Sequence, residues 1–183
     1  MTTLLINLSF YQVGWFCCVF GAAWGHPLVG GLLALLLAGL HLCLAVDRRA
    51  EICLMTSACL IGVAVDSAQQ ALGLFAFKTD PSWPLWLPLW VFVIWAQFAT
   101  LFHFALWWLS KRYLLAAALG MLGGPLAYWA GIRIGAATFG PEPVLSLVVL
   151  GLVWACVTPG LLWLSDQTAR KRGAYRGLGG PVD

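Results

Sequence analysis

Five polar side chains stand where an apolar chain is least able to tolerate them. Asp66 lies in the middle of an unbroken apolar run from about Ile52 to Phe77, with Gln69 and Gln70 one turn further on. Gln97 and Arg133 interrupt two later runs. At mid-depth in a bilayer a charged side chain costs about 2.5–3.5 kcal/mol on insertion scales, so it is paired, turned into the bundle, or functional. A carboxylate there binds a cation or a proton, and an arginine neutralises it or holds an anionic headgroup. At 100° per residue Cys59, Gly62, Asp66, Gln69, Gln70 and Gly73 share one helical arc, so this face is expected to point inward. Counting 1.5 Å per residue puts Asp66 about 21 Å and Arg133 about 30 Å from the same membrane face. The arginine stem spans the difference, so an Asp66–Arg133 pair is feasible. It is either a structural ion pair or, with Gln69, Gln70 and Gln97 around it, a substrate, ion or proton site.

His41 and His103 offer a different chemistry. They sit at matching depth in the second and fourth apolar runs, and two facing imidazoles can ligate a haem or a metal. A core histidine bonded to a carbonyl is the commoner outcome, and no cofactor is expected. The six cysteines fall inside apolar runs without metal-type spacing and read as small reduced hydrophobes. No phosphate-binding glycine loop, nucleophile elbow or HExxH is present.

The elements that position these residues follow from composition. Of 183 residues 62% are hydrophobic and 9% charged, against about 25% charged in a soluble domain. Apolar runs near twenty residues recur, each able to cross a hydrocarbon core of about 30 Å. We read an all-α polytopic bundle of six transmembrane helices, at about 4–24, 28–46, 52–77, 85–109, 113–137 and 144–164. A single membrane domain over 1–183 ends in a basic tail, 165–183. The first run lacks a basic start and is expected to be retained rather than cleaved. Arg48, Arg49, Lys111, Arg112 and the Arg170–Arg176 cluster fall on one side of six spans, with Lys78 and Arg133 opposite. By the positive-inside rule both termini are cytoplasmic. The net charge of +3 is thus a topology signal, and nucleic acid is not an expected partner.

Two further patterns concern packing. Trp83, Trp86 and Trp90, among Pro81, Pro84 and Pro88, with Trp107 and Trp108 at the other end, read as an aromatic belt on the fourth helix. Gly123, Ala127, Gly131 and Gly135 form a small-residue ladder beside Gly120 and Gly124, a seam for close helix packing. Pro125 is expected to kink or break that helix.

The segments Val13–Val19, Asp66-Ser67, Pro84 to Trp90, and above all Gly123-Gly124-Pro125-Leu126-Ala127-Tyr128 followed by Gly131, Arg133 and Gly135-Ala136 resemble a bacterial family of small multi-pass inner-membrane proteins, domain of unknown function 2878. The resemblance covers nearly the whole chain. It implies a bacterial inner-membrane location and no defined activity. Our expectation is a protein that binds or transports a small or lipidic molecule at a polar intramembrane site formed by Asp66, Gln69, Gln70, Gln97 and Arg133. The alternatives are a membrane-embedded enzyme subunit of lipid modification or a haem or metal protein built on His41 and His103, and a structural partner of membrane enzymes packing through the glycine ladder. Membrane lipid surrounds the chain in each case, and a homo-oligomer is an open arrangement.

Overall fold

A computed structural model describes residues 2–170. Its helices are α1 (Thr2–Ala23), α2 (Pro27–Leu44), α3 (Arg48–Ala71), α4 (Leu89–Ala99), α5 (Tyr113–Ile134) and α6 (Pro143–Arg170), with one turn of 3-10 helix at Trp107–Leu109. All except α4 are long and apolar enough to cross a membrane. Their outward faces carry large exposed apolar side chains, among them Leu32, Leu36, Leu60, Leu114, Leu126 and Val148. Facing water, a surface so apolar would be a liability; facing acyl chains it is matched. α1 packs along α2, and α5 along α6. α4 is the central element, touching α1, α2 and α3 and burying Trp90, Val91, Val93, Trp95, Gln97 and Ala99.

Three boundaries differ from the sequence reading. The third helix stops at Ala71 rather than Phe77, and the fifth at Ile134 rather than 137. The residues beyond them, Phe75–Phe77 (β1) and Ala137–Phe139 (β2), pair antiparallel into a two-stranded sheet, so the chain is not purely helical. Gly135 makes this possible: at φ 102° it takes the left-handed conformation that closes α5, its N–H bonding back to Gly131 O. The sixth helix runs on to Arg170, and Ser165 and Asp166, expected in a tail, are buried. The rest of the expected basic tail, 171–183, lies outside the described residues.

The largest departure is the fourth span. The expected helix over 85–109 is helical only for the eleven residues of α4, about 16 Å of a core of about 30 Å. Before it, 78–88 is irregular, punctuated by its prolines. After it, 100–106 is a series of turns with Leu101, Phe102, His103, Phe104 and Ala105 all buried. Non-helical backbone at membrane depth survives only where protein surrounds it, and this stretch is surrounded. Trp90, read as part of the interfacial belt, is also core, 4% exposed, whereas Trp86, Trp107 and Trp108 are exposed as a belt requires.

Of the kink or break expected at Pro125, the break does not occur: α5 is continuous helix through that residue. Its packing seam is also displaced. Added Cβ atoms on Gly120 and Gly124 would run into Thr158 and Trp154 of α6, whereas on Gly123 and Gly131 they would meet nothing within 4 Å. The ladder Gly123, Ala127, Gly131, Gly135 is therefore not the helix seam; the pair beside it is. On α3, a Cβ on Gly62 would enter the Trp95 indole. We expect Gly62→Ala and Gly124→Ala each to destabilise by about 1–3 kcal/mol through overpacking. Gly123→Ala should be neutral or stabilising by up to about 1 kcal/mol through helix propensity. Thermal unfolding in detergent would rank the three.

Candidate functional site

Asp66 sits where α3 faces α4, 1% exposed. The inward arc read from the sequence is seen in part: Gly62, Asp66 and Gln69 are buried, Cys59 and Gln70 are half-buried, and Gly73 is exposed. The partner is not Arg133. Trp95 Nε1 donates to Asp66 Oδ2 at 2.7 Å, and the Tyr128 hydroxyl donates to Oδ1. Arg133 is exposed, its guanidinium carbon 5.9 Å from the centroid of the Trp129 ring. The two residues share a side of the membrane by count. However, the left-handed cap at Gly135 ends α5 with Arg133 on its outer face. Among the described residues no ion pair reaches Asp66.

The carboxylate borders a cavity of about 70 Å³ (the volume open to the centre of a water molecule), where one water needs about 10–15 Å³. α1 supplies Tyr11, Trp15 and Val19 on one wall, spaced at successive turns, and α5 supplies Ala127, Tyr128 and Gly131 on the other. Trp90, Trp95 and Phe98 of α4 also line it, as do Phe77 and Trp154. Trp95 and Trp154 stack at 4.8 Å with 12° between planes, and Phe77 meets Trp90 edge-on at 5.3 Å. α1 and α5 have few contacts with each other, and both line the cavity. Ala127 and Gly131, expected to seat a neighbouring helix, are among its lining residues instead.

The three glutamines do not gather around Asp66. Gln97 donates to Ala34 O at 2.9 Å across α2 and lies under Gly14. Gln70 accepts from Phe77 N at 3.3 Å, holding β1 to the end of α3. Gln69 is buried, and neither its Oε1 nor its Nε2 has a hydrogen-bond partner; the structure offers no physical account of this. None of the three lines the cavity.

His41 and His103 do come together, with a carboxylate between them. Glu51 Oε1 lies 2.7 Å from His103 Nδ1, and Oε2 lies 3.3 Å from His41 Nε2. Asn7 Nδ2 reaches His41 Nδ1 at 3.3 Å and donates to Thr100 O at 3.1 Å. Because the amide is a donor, His41 carries its proton on Nε2, toward Glu51. His103 Nε2 lies 3.2 Å from Thr168 Oγ1 and 3.3 Å from Ser165 O. Thr168 Oγ1 also donates to Leu164 O at 3.1 Å and to Ser165 O at 2.8 Å, so the ring edge meets the last turns of α6. α1, α2, α3, the turns after α4, and α6 all contribute to this chain of bonds. Geometry turns both imidazoles onto Glu51 rather than toward a shared open position, and among the described residues no group of three or more His, Cys, Asp or Glu is arranged to hold a metal ion.

Sequence reasoning passed over Glu51, Asn7 and Asp166. Glu51 opens α3 four residues after its cap Asp47, whose side chain accepts from Arg49 N and Ala50 N, and so looks like an ordinary first-turn acid. Asp166 accepts from Ser110 Oγ at 2.6 Å, Tyr113 OH at 2.9 Å and Lys111 N at 3.2 Å, pinning the turn into α5 against α6. The available signal was depth: Asn7, His41, Glu51 and His103 all fall within about seven residues of the same predicted membrane face.

Residues 4–160 match the model of a family described as a protein of unknown function, DUF2878. The chain belongs to that family. No curated protein and no solved structure matches it. The DUF2878 match spans the Asp66 cavity and all of the Glu51 cluster except Ser165 and Thr168.

Leaving buried hydrogen-bonding groups without a partner costs about 1–3 kcal/mol each, whereas an exposed substitution is usually within about 0.5 kcal/mol. Glu51→Ala should therefore sharply lower the unfolding midpoint in detergent, and Arg133→Gln should leave it in place. Equal effects would show that the bundle does not depend on the Glu51 cluster.

Proposed function

We propose that this is a bacterial inner-membrane protein that crosses the membrane six times, with both termini cytoplasmic, and binds or transports a small or lipidic molecule at the Asp66 cavity. The topology is supported by where basic residues fall on the fold. Arg48 and Arg49 begin α3, and Lys111 and Arg112 precede α5. Asp166 bonds the turn at Ser110 and Lys111, so the end of α6 lies at that same end of the bundle. Lys78 is at the opposite end, donating to Ala23 O at the close of α1. α4 and the buried turns after it supply the sixth crossing that no single helix provides.

The observation that carries the binding role is the cavity itself. It is a partly open space inside the bundle, lined almost wholly by apolar and aromatic side chains, with one oriented carboxylate. Sites for small molecules have this make-up: an apolar enclosure with a few placed polar groups. An intramembrane acid turned inward and held by two donors has the geometry of a ligand group. The cavity of about 70 Å³ is only partly enclosed, so a guest can extend beyond it.

Native mass spectrometry of protein released from lipid nanodiscs tests this. We expect a retained adduct of defined mass on the wild type, reduced at least about tenfold in occupancy in Asp66→Asn and displaced in Gly131→Leu, whose side chain would fill the cavity. Identical adduct profiles in all three proteins, each folded by circular dichroism, would rule out the cavity as the binding site.

A further inference from the structure

We propose that the Asp66 cavity selects an organic cation: a protonated or quaternary amine on an apolar, partly aromatic body. This deepens the binding role proposed above and rests on it.

Charge is the first argument. Trp95 Nε1 and the Tyr128 hydroxyl orient the two oxygens of Asp66, yet both are neutral donors. They fix the carboxylate without cancelling its charge. Each oxygen accepts one bond in the structure and has capacity for another. Among the described residues neither salt bridge involves Asp66, and no Lys, Arg or His lines the cavity. A cationic guest is therefore the species that completes the site. An anionic guest would meet a like charge and no counter-charge.

The walls make the second argument. Trp15, Phe77, Trp90, Trp95, Tyr128 and Trp154 all line the space. Aromatic rings attract a cation through the negative quadrupole of their faces, more strongly where water is excluded. A carboxylate within an aromatic enclosure is the usual chemistry for holding an alkylammonium group. The same walls disfavour sugars and other polyhydroxylated guests, whose hydroxyls would be buried without partners.

Shape is the third. Tyr11 and Trp15 of α1 and Ala127 and Gly131 of α5 line the cavity, and a Cβ added at Gly131 would meet nothing within 4 Å. An amine seated with its nitrogen at Asp66 has room for its apolar body beside these small residues.

A matched set of probes decides the matter: 4-phenylbutylamine, 4-phenylbutanol and 4-phenylbutyrate share one body and differ in head charge. Each would be titrated calorimetrically onto the full chain in nanodiscs, with empty nanodiscs subtracted. We expect saturable binding of the amine, weakened about tenfold or more in Asp66→Asn, and at least about tenfold weaker binding of the alcohol and the carboxylate. In Gly131→Leu, which keeps the carboxylate but occupies the space, amine binding should be lost. Equal binding of the alcohol, preferred binding of the carboxylate, or amine binding indifferent to Asp66→Asn would overturn the cation assignment and leave the cavity as a binding site. No saturable binding of any probe overturns the cation assignment as well. The binding role falls with it only if the native mass spectra also show no adduct dependent on Asp66 or Gly131.

Discussion

Backbone that leaves a helix inside a membrane protein must find its hydrogen bonds within the protein, and the turns after α4 put the whole bundle under that constraint. Ordinary propagation would have Thr100 O accept from Phe104 N. Instead Phe104 N bonds to Leu101 O, and the freed Thr100 carbonyl accepts from the Asn7 side chain. Asn7 in turn reaches His41, His41 reaches Glu51, and Glu51 reaches His103 within the unwound stretch itself. The unwound segment is therefore not a local defect. It is solvated by side chains from other helices, as water would solvate it at a surface. Those helices are held in register by supplying them.

Stopping α4 short also shapes the other half of the molecule. A helix of eleven residues leaves the far side of the bundle to be closed by something else. The β1–β2 pair, the proline-rich approach and the indoles of Trp83 and Trp90 do so. Trp90 Nε1 donates to Lys78 O, and Ser146 Oγ to Leu74 O, tying α4 and α6 to the strand and its flanks. Beneath that cover α1 and α5 both line the cavity, and Trp95 and Tyr128 donate to Asp66 at its edge. The carboxylate and the glutamate cluster are opposite ends of one buried stripe on α3, Glu51, Leu54, Ala58, Gly62, Asp66, roughly 22 Å apart at 1.5 Å per residue. One stripe thus serves both a fully clamped polar cluster and an open, aromatic one.

Asp66 was legible because its cost in lipid is intrinsic to one residue and needs no knowledge of neighbours. Its inward orientation was legible for the same reason, since helical periodicity places Gly62, Asp66 and Gln69 on one face. Its partners were not. Charge complementarity suggested Arg133, but Asp66 is held by neutral donors, and nothing in the spacing of Trp95 and Tyr128 distinguishes them from belt or core aromatics. The histidines show the converse. Their common depth was correctly read, but the group between them, Glu51, resembled a solvated helix-start acid. On α5 the two glycine rows are equivalent by spacing, and only the position of α6 makes one a seam and the other a cavity wall.

By itself the sequence determined the class of object: an apolar chain with periodic runs of bilayer length, few charges, and an acid that must face inward. Those features depend on transfer free energies and helical period, which are properties of single residues and short windows. Tertiary structure alone decided where the fourth span unwinds and which polar groups meet. No glycine or proline falls within 100–106, and local propensity there does not oppose a helix. The helix yields where donors and acceptors from α1, α3 and α6 converge on its backbone and on His103, an arrangement that exists only once the helices have packed.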